Sequence, residues 1–418
     1  MALLATSVSA GPVLPFTSQD QLDTEYQNSA VTPAFKQGVS ALEQQDLPAA
    51  RQAFNNALAT DPTFVPALIG LAGVANADGN DKQAQQYLQQ AQQLAPKSAL
   101  VYLATGRYYI SRQQFAQAEQ QFLLAKDVQN HSGHAALISL GELYLRDAKQ
   151  ADKALAHFET ALAKDANNGY VHYLAGVAAA LTAKPELAKQ YFATAIRLSP
   201  QNAMPLHAMA RLMTEAKQYE QALAQLAQAI RLEPANVTLL LDQSDLLALT
   251  GNYAAANEAL DKAEKLAPKL AEIFLKRADI AQAQQQWRRA LNLYDEAIAL
   301  NAKLAQAYNN KAWLLLTQKQ DLHQAKATAL QAVSLSAGSA PFYDTLAMIL
   351  LELGDSTAAL TAIDDAIRLE GSVAEYHYHK GLIASKLKQS ALAKTALQQA
   401  LQLDPNYTPA RDALKQLP

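Results

Sequence analysis

The chain has no cysteine, which removes disulfides, thiolate metal sites and cysteine nucleophiles. It is also poor in helix breakers, with 15 glycines and 16 prolines in 418 residues. Tryptophan occurs twice, and aromatics make up 7% of the chain. No stretch approaches the ~20 uninterrupted apolar residues that a membrane span requires. Charge of one sign is missing too. The 35 Lys and Arg against 38 Asp and Glu leave a net charge of −3, so neither nucleic acid nor an anionic membrane is expected as a main partner. There is no phosphate-cradling glycine loop, no HExxH and no GxSxG.

At ~150 residues per domain the length suggests two or three globular domains. The composition argues otherwise. Alanine is about a fifth of the chain and glutamine about a tenth, well above ordinary usage. Such a chain is mostly helical.

Self-comparison exposes a period of 34 or 35 residues. A column of small residues reads Gly38, Ala72, Gly106, Gly141, Gly176, Ala210, Ser244, Ala278, Ala312, Ala347 and Gly381. Two further columns are pure alanine, one from Ala50 to Ala393 and one from Ala57 to Ala400, each with eleven members. Small residues at fixed spacing mark helices that cross closely. Between the alanine columns runs a bulky one: Phe54, Leu88, Phe122, Phe158, Phe192, Leu226, Leu260, Tyr294, Ala329, Ile363 and Leu397. These side chains fill helical hairpins, at ~2 kcal/mol each when buried. Ala329 breaks the pattern and predicts a thin core in the ninth repeat. Prolines close many repeats, as at Pro62, Pro96, Pro200, Pro234, Pro268 and Pro405.

A 34-residue helix–turn–helix with these offsets resembles the tetratricopeptide repeat. Eleven repeats cover residues 31–407. The resemblance implies an all-α, right-handed superhelical solenoid whose first helices line a concave groove. Residues 408–418 supply a C-terminal capping helix, since a solenoid must shield its last apolar face. The extra residues of the 35-residue steps are expected in turns, two of them near Lys149 and Gln320. Residues 1–30 read as a leader, with Val8-Ser9-Ala10 similar to a signal peptidase site before Gly11, although a basic n-region is missing.

Few residues suggest chemistry. His131 and His134 flank a Ser-Gly turn, but two histidines without a third ligand make a weak metal site. Asp364 and Asp365 point in different directions and read as a solvated face. In Tyr376-His377-Tyr378-His379, helical spacing puts His377 at a packing position and Tyr378 in the groove. The expectation is therefore a non-enzyme with no cofactor and no metal.

The resemblance implies a groove lined by the second, fifth, ninth and twelfth positions of each first helix. On this sequence the candidates are Arg107, Glu142, Tyr170, Tyr173, His207, Arg211, Asn309, Trp313 and Tyr378. Tyr, Trp and Arg are the residues that most often anchor interfaces. The expected anchors are Tyr170, Tyr173 and Trp313, with Arg107 and Arg211 pairing partner carboxylates. The Lys/Asn clamp of chaperone-tail-binding members is missing. Asn309 and Asn310 stand beside repeats that offer Leu275 and Asp344 instead.

The stretch from Tyr308 to Leu316, YNNKAWLLL, followed by Asp344-Thr345-Leu346-Ala347 and Gly354, is similar to the paired motifs of bacterial envelope repeat proteins. These accompany exopolysaccharide production and the PEP-CTERM sorting system. Lys311 and Met348 depart from their pattern. The expected role is a scaffold for a protein or peptide partner in the periplasm or cell envelope. A carbohydrate-binding module for an exported polysaccharide and a cytoplasmic adaptor are the alternatives.

Overall fold

The structure is a computed structural model and describes residues 31–128 and 132–417, with only the backbone of residues 132 and 133. The chain divides into two compact units, one ending at Glu233 and the other beginning at Pro234.

The first unit contains six helical hairpins. They are α1 (Thr32–Glu43) with α2 (Leu47–Thr60), α3 (Val65–Ala77) with α4 (Asp81–Leu94), and α5 (Ala99–Ser111) with α6 (Phe115–Asp127). Then come α7 (Ser132–Tyr144) with α8 (Ala151–Lys164), α9 (Gly169–Leu181) with α10 (Pro185–Leu198), and α11 (Ala203–Glu215) with α12 (Tyr219–Leu232).

The second unit contains five hairpins and a last helix. They are α13 (Val237–Leu249) with α14 (Tyr253–Leu266), α15 (Ala271–Ala283) with α16 (Trp287–Leu300), and α17 (Ala305–Thr317) with α18 (Leu322–Leu335). The series closes with α19 (Ala340–Glu352) and α20 (Ser356–Leu369), α21 (Ala374–Lys386) and α22 (Ser390–Leu403), and α23 (Thr408–Lys415). No strand occurs among the described residues.

The helices end where local chemistry ends them. Asn and Asp side chains cap many first turns: Asn168 accepts from Val171 N at 3.1 Å, and Asp355 from Ala358 N at 3.1 Å. Ten of the eleven hairpins turn through a residue with positive φ. Only three of these are glycine, Gly79, Gly251 and Gly354. Residues such as Ala183 (φ 55) and Lys217 (φ 58) hold this left-handed geometry without glycine's freedom. The fourth hairpin turns instead through a short 3₁₀ segment, Ala148–Gln150, which takes up the extra residue near Lys149. Gln320 likewise lies in the turn of the ninth.

The alanine columns are completely buried, and the small and bulky columns meet inside each hairpin. A Cβ built on Gly106 would stand 2.4 Å from Phe122, and one on Gly176 would stand 2.5 Å from Phe192. Where the first helix carries alanine, its register partner is usually smaller, as in Ala72 with Leu88 and Ala347 with Ile363. The inter-helix gap is thus filled by one large and one minimal residue, or by two of middling size. In the ninth hairpin Ala329 is fully buried in a cluster with Ala312, Leu315 and Leu346. At the C-terminus, Ala410 of α23 is buried against Leu397 and Ala400, so the last helix covers the apolar face of α22.

Candidate functional site

The groove candidates fall into two groups, one in each unit. In the first unit, Arg107 on α5, Glu142 on α7 and Tyr170 on α9 lie at equivalent faces of successive first helices. Tyr170 donates to Glu142 Oε1 at 2.8 Å, although 40% of the tyrosine remains exposed. Burial pushes the Glu142 carboxyl up, while the Tyr170 bond and the Arg107 charge pull it down. Burial lowers Arg107, and the Glu142 charge opposes that shift. The Arg107 and Glu142 charges thus act on each other within the chain.

Tyr173 also differs from expectation. It is only 5% exposed, with its ring centroid 6.2 Å from Phe192 and 6.4 Å from Tyr170. It packs the hairpin beneath Tyr170 and is no exposed anchor. His207 and Arg211 lie one turn apart on α11, both half-buried.

In the second unit the first helices of repeats eight to eleven, with Trp287 at the start of α16, border two open recesses. One, of about 400 Å³, is lined by Gln282, Asn309, Asn310, Trp313, Pro341, Asp344, Thr345, Glu375 and Tyr376. The other, of about 500 Å³, is lined by Asp279, Gln282, Ala283, Trp287, Trp313, Thr317 and Gln318. Trp313 and Gln282 border both.

Hydrogen bonds fix this wall. Tyr294 on α16 donates to Asp279 Oδ1 at 2.6 Å, and its hydroxyl lies 2.9 Å from Gln282 Oε1. Asn310 Nδ2 donates to the same Asp279 oxygen at 2.9 Å, and Gln306 Nε2 donates to Asn310 Oδ1 at 2.7 Å. Burial lifts the Asp279 carboxyl, against the downward pull of Tyr294, Asn310 and Lys276. Asn309 is 8% exposed; its Nδ2 donates to Asn310 Oδ1 at 3.4 Å, and its Oδ1 has no hydrogen-bond partner.

Two expectations about the eleventh repeat are corrected. The buried histidine is His379, not His377. His379 Nδ1 lies 2.6 Å from Asp344 Oδ1, whereas a His377 ring nitrogen lies 2.9 Å from the Gly371 carbonyl at the surface. Helix α21 keeps the register of the repeat, with Gly381 against Leu397, and His379 stands two residues before that glycine, where other first helices bury Ala104 or Leu174. Tyr378 makes a T-shaped contact with Tyr407, at 5.6 Å between centroids, and joins the cluster under α23. It does not line either recess.

Of the nine candidates, Arg107, Glu142 and Tyr170 thus form one group, and Asn309 and Trp313 another. Glu375, a second-position groove residue of repeat eleven by the same offsets, does line a recess, whereas Asp279, Gln282 and Trp287 were not singled out as wall residues. A signal was available: tyrosine at position 294 stands in an otherwise hydrocarbon column and needs a polar partner.

Asp344 and His379 form a dyad, but both are buried, so the imidazole cannot reach a substrate. His131 lies outside the described residues, and His134 is half-buried. Among the described residues no group of three or more His, Asp or Glu is placed to hold a metal ion. Asp364 and Asp365 pair separately with Lys380 and Arg368, at 2.7 and 2.6 Å.

Comparison with known proteins agrees with this architecture. Tetratricopeptide repeat models match residues 41–107, 143–203, 207–271, 275–341, 340–372 and 374–407, well over half of the chain. The chain belongs to the tetratricopeptide repeat family. The crystal structure of yeast Tom70 is similar at 15% identity and a TM-score of 0.55, over 92% of this chain and 94% of that one. Cut9, from the APC/C hetero-tetramer Cut9–Hcn1, is similar at 15% identity and a TM-score of 0.50, over 98% and 99%. A tetratricopeptide repeat protein from Parabacteroides merdae is similar at 19% identity and a TM-score of 0.50, over 61% and 97%. At these identities the likeness is one of fold. No curated protein matches the sequence. Tetratricopeptide repeats generally mediate protein–protein interaction, and no catalytic family is indicated. No described helix is long and apolar enough to cross a membrane.

Proposed function

We propose that the chain is a non-catalytic scaffold that holds a partner protein, or an extended segment of one, against its first helices. The observation that carries this reading is the wall around Trp313. A large indole there borders two recesses, and hydrogen-bonded side chains from the eighth and ninth repeats hold that wall in place. A surface ordered before binding loses little further entropy when a partner settles on it. Tyr170, half-exposed above the Arg107–Glu142 pair, is a second contact point in the first unit.

The setting we propose is bacterial envelope assembly, either polysaccharide export or protein sorting. Its support is the YNNKAWLLL stretch from Tyr308 and the Asp344-Thr345-Leu346-Ala347 motif. A neighbour of similar fold, Cut9, is seen in a hetero-tetramer with Hcn1. Binding another protein is thus a use to which this fold is put.

The test is affinity purification from the native host, comparing wild type with the Tyr170→Ala/Arg211→Ala/Trp313→Ala chain. Retained solubility and helical circular dichroism serve as controls. A specific partner retained by wild type and lost by the variant supports the scaffold. Equal capture by both overturns it. Recovery of export or sorting components supports the envelope setting, and recovery of cytosolic proteins alone rejects it.

A further inference from the structure

We propose that α7 is an acid-released helix: protonation of His134 at its start and of His157 against its end loosens it and frees Tyr170 from Glu142. This gives the contact point at Tyr170 a pH dependence, and it rests on the scaffold reading only for its effect on a partner.

The surroundings of His134 are the first observation. Seven residues before the small column, every other repeat places valine, alanine or glycine, as at the buried Ala99, Ala203 and Ala271. Repeat four places an imidazole there. Both of its ring nitrogens are shut off from solvent, and neither has a hydrogen-bond partner. A neutral imidazole leaves one donor and one acceptor unmet in such a site. An imidazolium would leave two donors and a charge unmet, which is far more unfavourable. His134 also stands in the first turn of α7, where the helix dipole opposes positive charge. The charges that act on it come from the end of the second helix of its own hairpin. Lys164 disfavours protonation and Asp165 favours it, and both are exposed, so solvent weakens both. Burial prevails and holds His134 below the ordinary imidazole value.

The other end of α7 meets a second histidine. Tyr144, the last residue of the helix, stacks on His157 of α8, with ring centroids 5.5 Å apart and planes 14° from parallel. Its hydroxyl donates to Glu119 Oε1 of α6 at 2.5 Å, and Lys153 Nζ lies 5.3 Å from the centroid of its ring. From α6, Lys126 disfavours a charge on His157 and Glu119 favours one. Burial is the largest influence and holds His157 below its ordinary value too.

Between these two ends α7 carries Glu142, the acceptor for Tyr170. Burial raises the Glu142 carboxyl, so acid favours the folded form at that position and the loosening cannot come from it. The histidines act with the opposite sign. Their folded pKa values are depressed, so an opened α7 takes up protons first. The stability held by the neutral rings is present above the ordinary imidazole pKa of about 6.5 and is lost as pH falls through the folded values.

Hydrogen exchange of the full chain without a partner tests this, read by mass spectrometry at about pH 7 and about pH 5 and corrected for intrinsic rates. Amides of α7 are expected to lose protection about threefold or more on acidification. Those of α3, in a repeat with no histidine, are expected to hold theirs. His134→Ala installs a residue the column carries elsewhere, and His157→Phe keeps an aromatic ring against Tyr144. Neither replacement titrates, and the double variant is expected to keep α7 protected in acid. His134→Gln takes the place of His134→Ala if helical circular dichroism at neutral pH shows the smaller side chain to be disruptive. Unchanged protection of α7 in acid overturns the proposal. An equal loss in α3 and α7 overturns it, as does a loss that persists in the double variant. None of these outcomes bears on the scaffold reading, which partner capture decides separately.

Discussion

The phenol of Tyr294 crosses the eighth hairpin and donates to Asp279 Oδ1 at 2.6 Å. Tyr294 belongs to the column that fills hairpin interiors and is itself fully buried. Asp279 belongs to the face that lines a recess. A core residue thus sets the position of a wall residue, and the packing code and the binding surface share a bond.

Tyr294→Phe keeps the volume and removes that bond. It leaves a solvent-accessible carboxylate with one donor fewer, so stability is expected to fall by about 0.5–1.5 kcal/mol. Urea unfolding of the full chain measures it. Tyr294→Phe in an Asp279→Asn background is expected to lose less, because the acceptor is then uncharged.

The raised pKa of Asp279 fixes the sign of a pH effect. Folding favours the protonated acid, so the stability it contributes is present below the unfolded pKa and lost as pH rises through the folded one. At pH 7 the wild-type chain therefore carries an unfavourable charge that Asp279→Asn lacks. The melting temperature of Asp279→Asn relative to wild type is expected to fall as pH drops from 7 towards the ordinary carboxylate range, about 4. Thermal melts at stepped pH read it, and a difference that grows on acidification contradicts it.

Gly106→Ala places a methyl 2.4 Å from Phe122. Overpacking of this kind costs about 1–3 kcal/mol. The chain shows the remedy in its own second repeat, where Ala72 lies in register with Leu88. Gly106→Ala combined with Phe122→Leu is expected to regain most of the loss in a double-mutant cycle.

Ala183 turns the fifth hairpin at φ 55. Glycine adopts that geometry without the Cβ penalty. Ala183→Gly is expected to stabilise the chain by about 0.5–1 kcal/mol, even though glycine weakens helices elsewhere. A lower unfolding midpoint would contradict the left-handed geometry.

Much of the fold was legible because the repeat forces the same contact eleven times. Gly106 and Phe122 are complementary in sequence as they are in space, and the two alanine columns mark buried helix crossings directly. The groove was less legible. Its face was assigned by offset, and offsets cannot tell a side chain that lines a recess from one that packs under it, as Tyr173 does. In α21 His377 was expected at the packing position that His379 holds, two residues before Gly381. Arg107 carried no sign in the sequence that the charge of Glu142, 35 residues on, would act on it, because that proximity depends on how successive repeats stack. Asp279 stands at the ninth position of its first helix, as Trp313 does, and Tyr294, a polar atom in an apolar column, pointed to it as well.

Site-specific photo-crosslinking in the native host tests most directly whether a protein is held against the first helices. A photoreactive phenylalanine analogue replaces Gln306, exposed on the first helix of the ninth repeat, or Ala327, exposed on its second helix. The scaffold reading predicts a discrete crosslinked partner from position 306 and none of comparable yield from position 327. Crosslinks to one partner from position 327 alone would place binding on the opposite helices and contradict it.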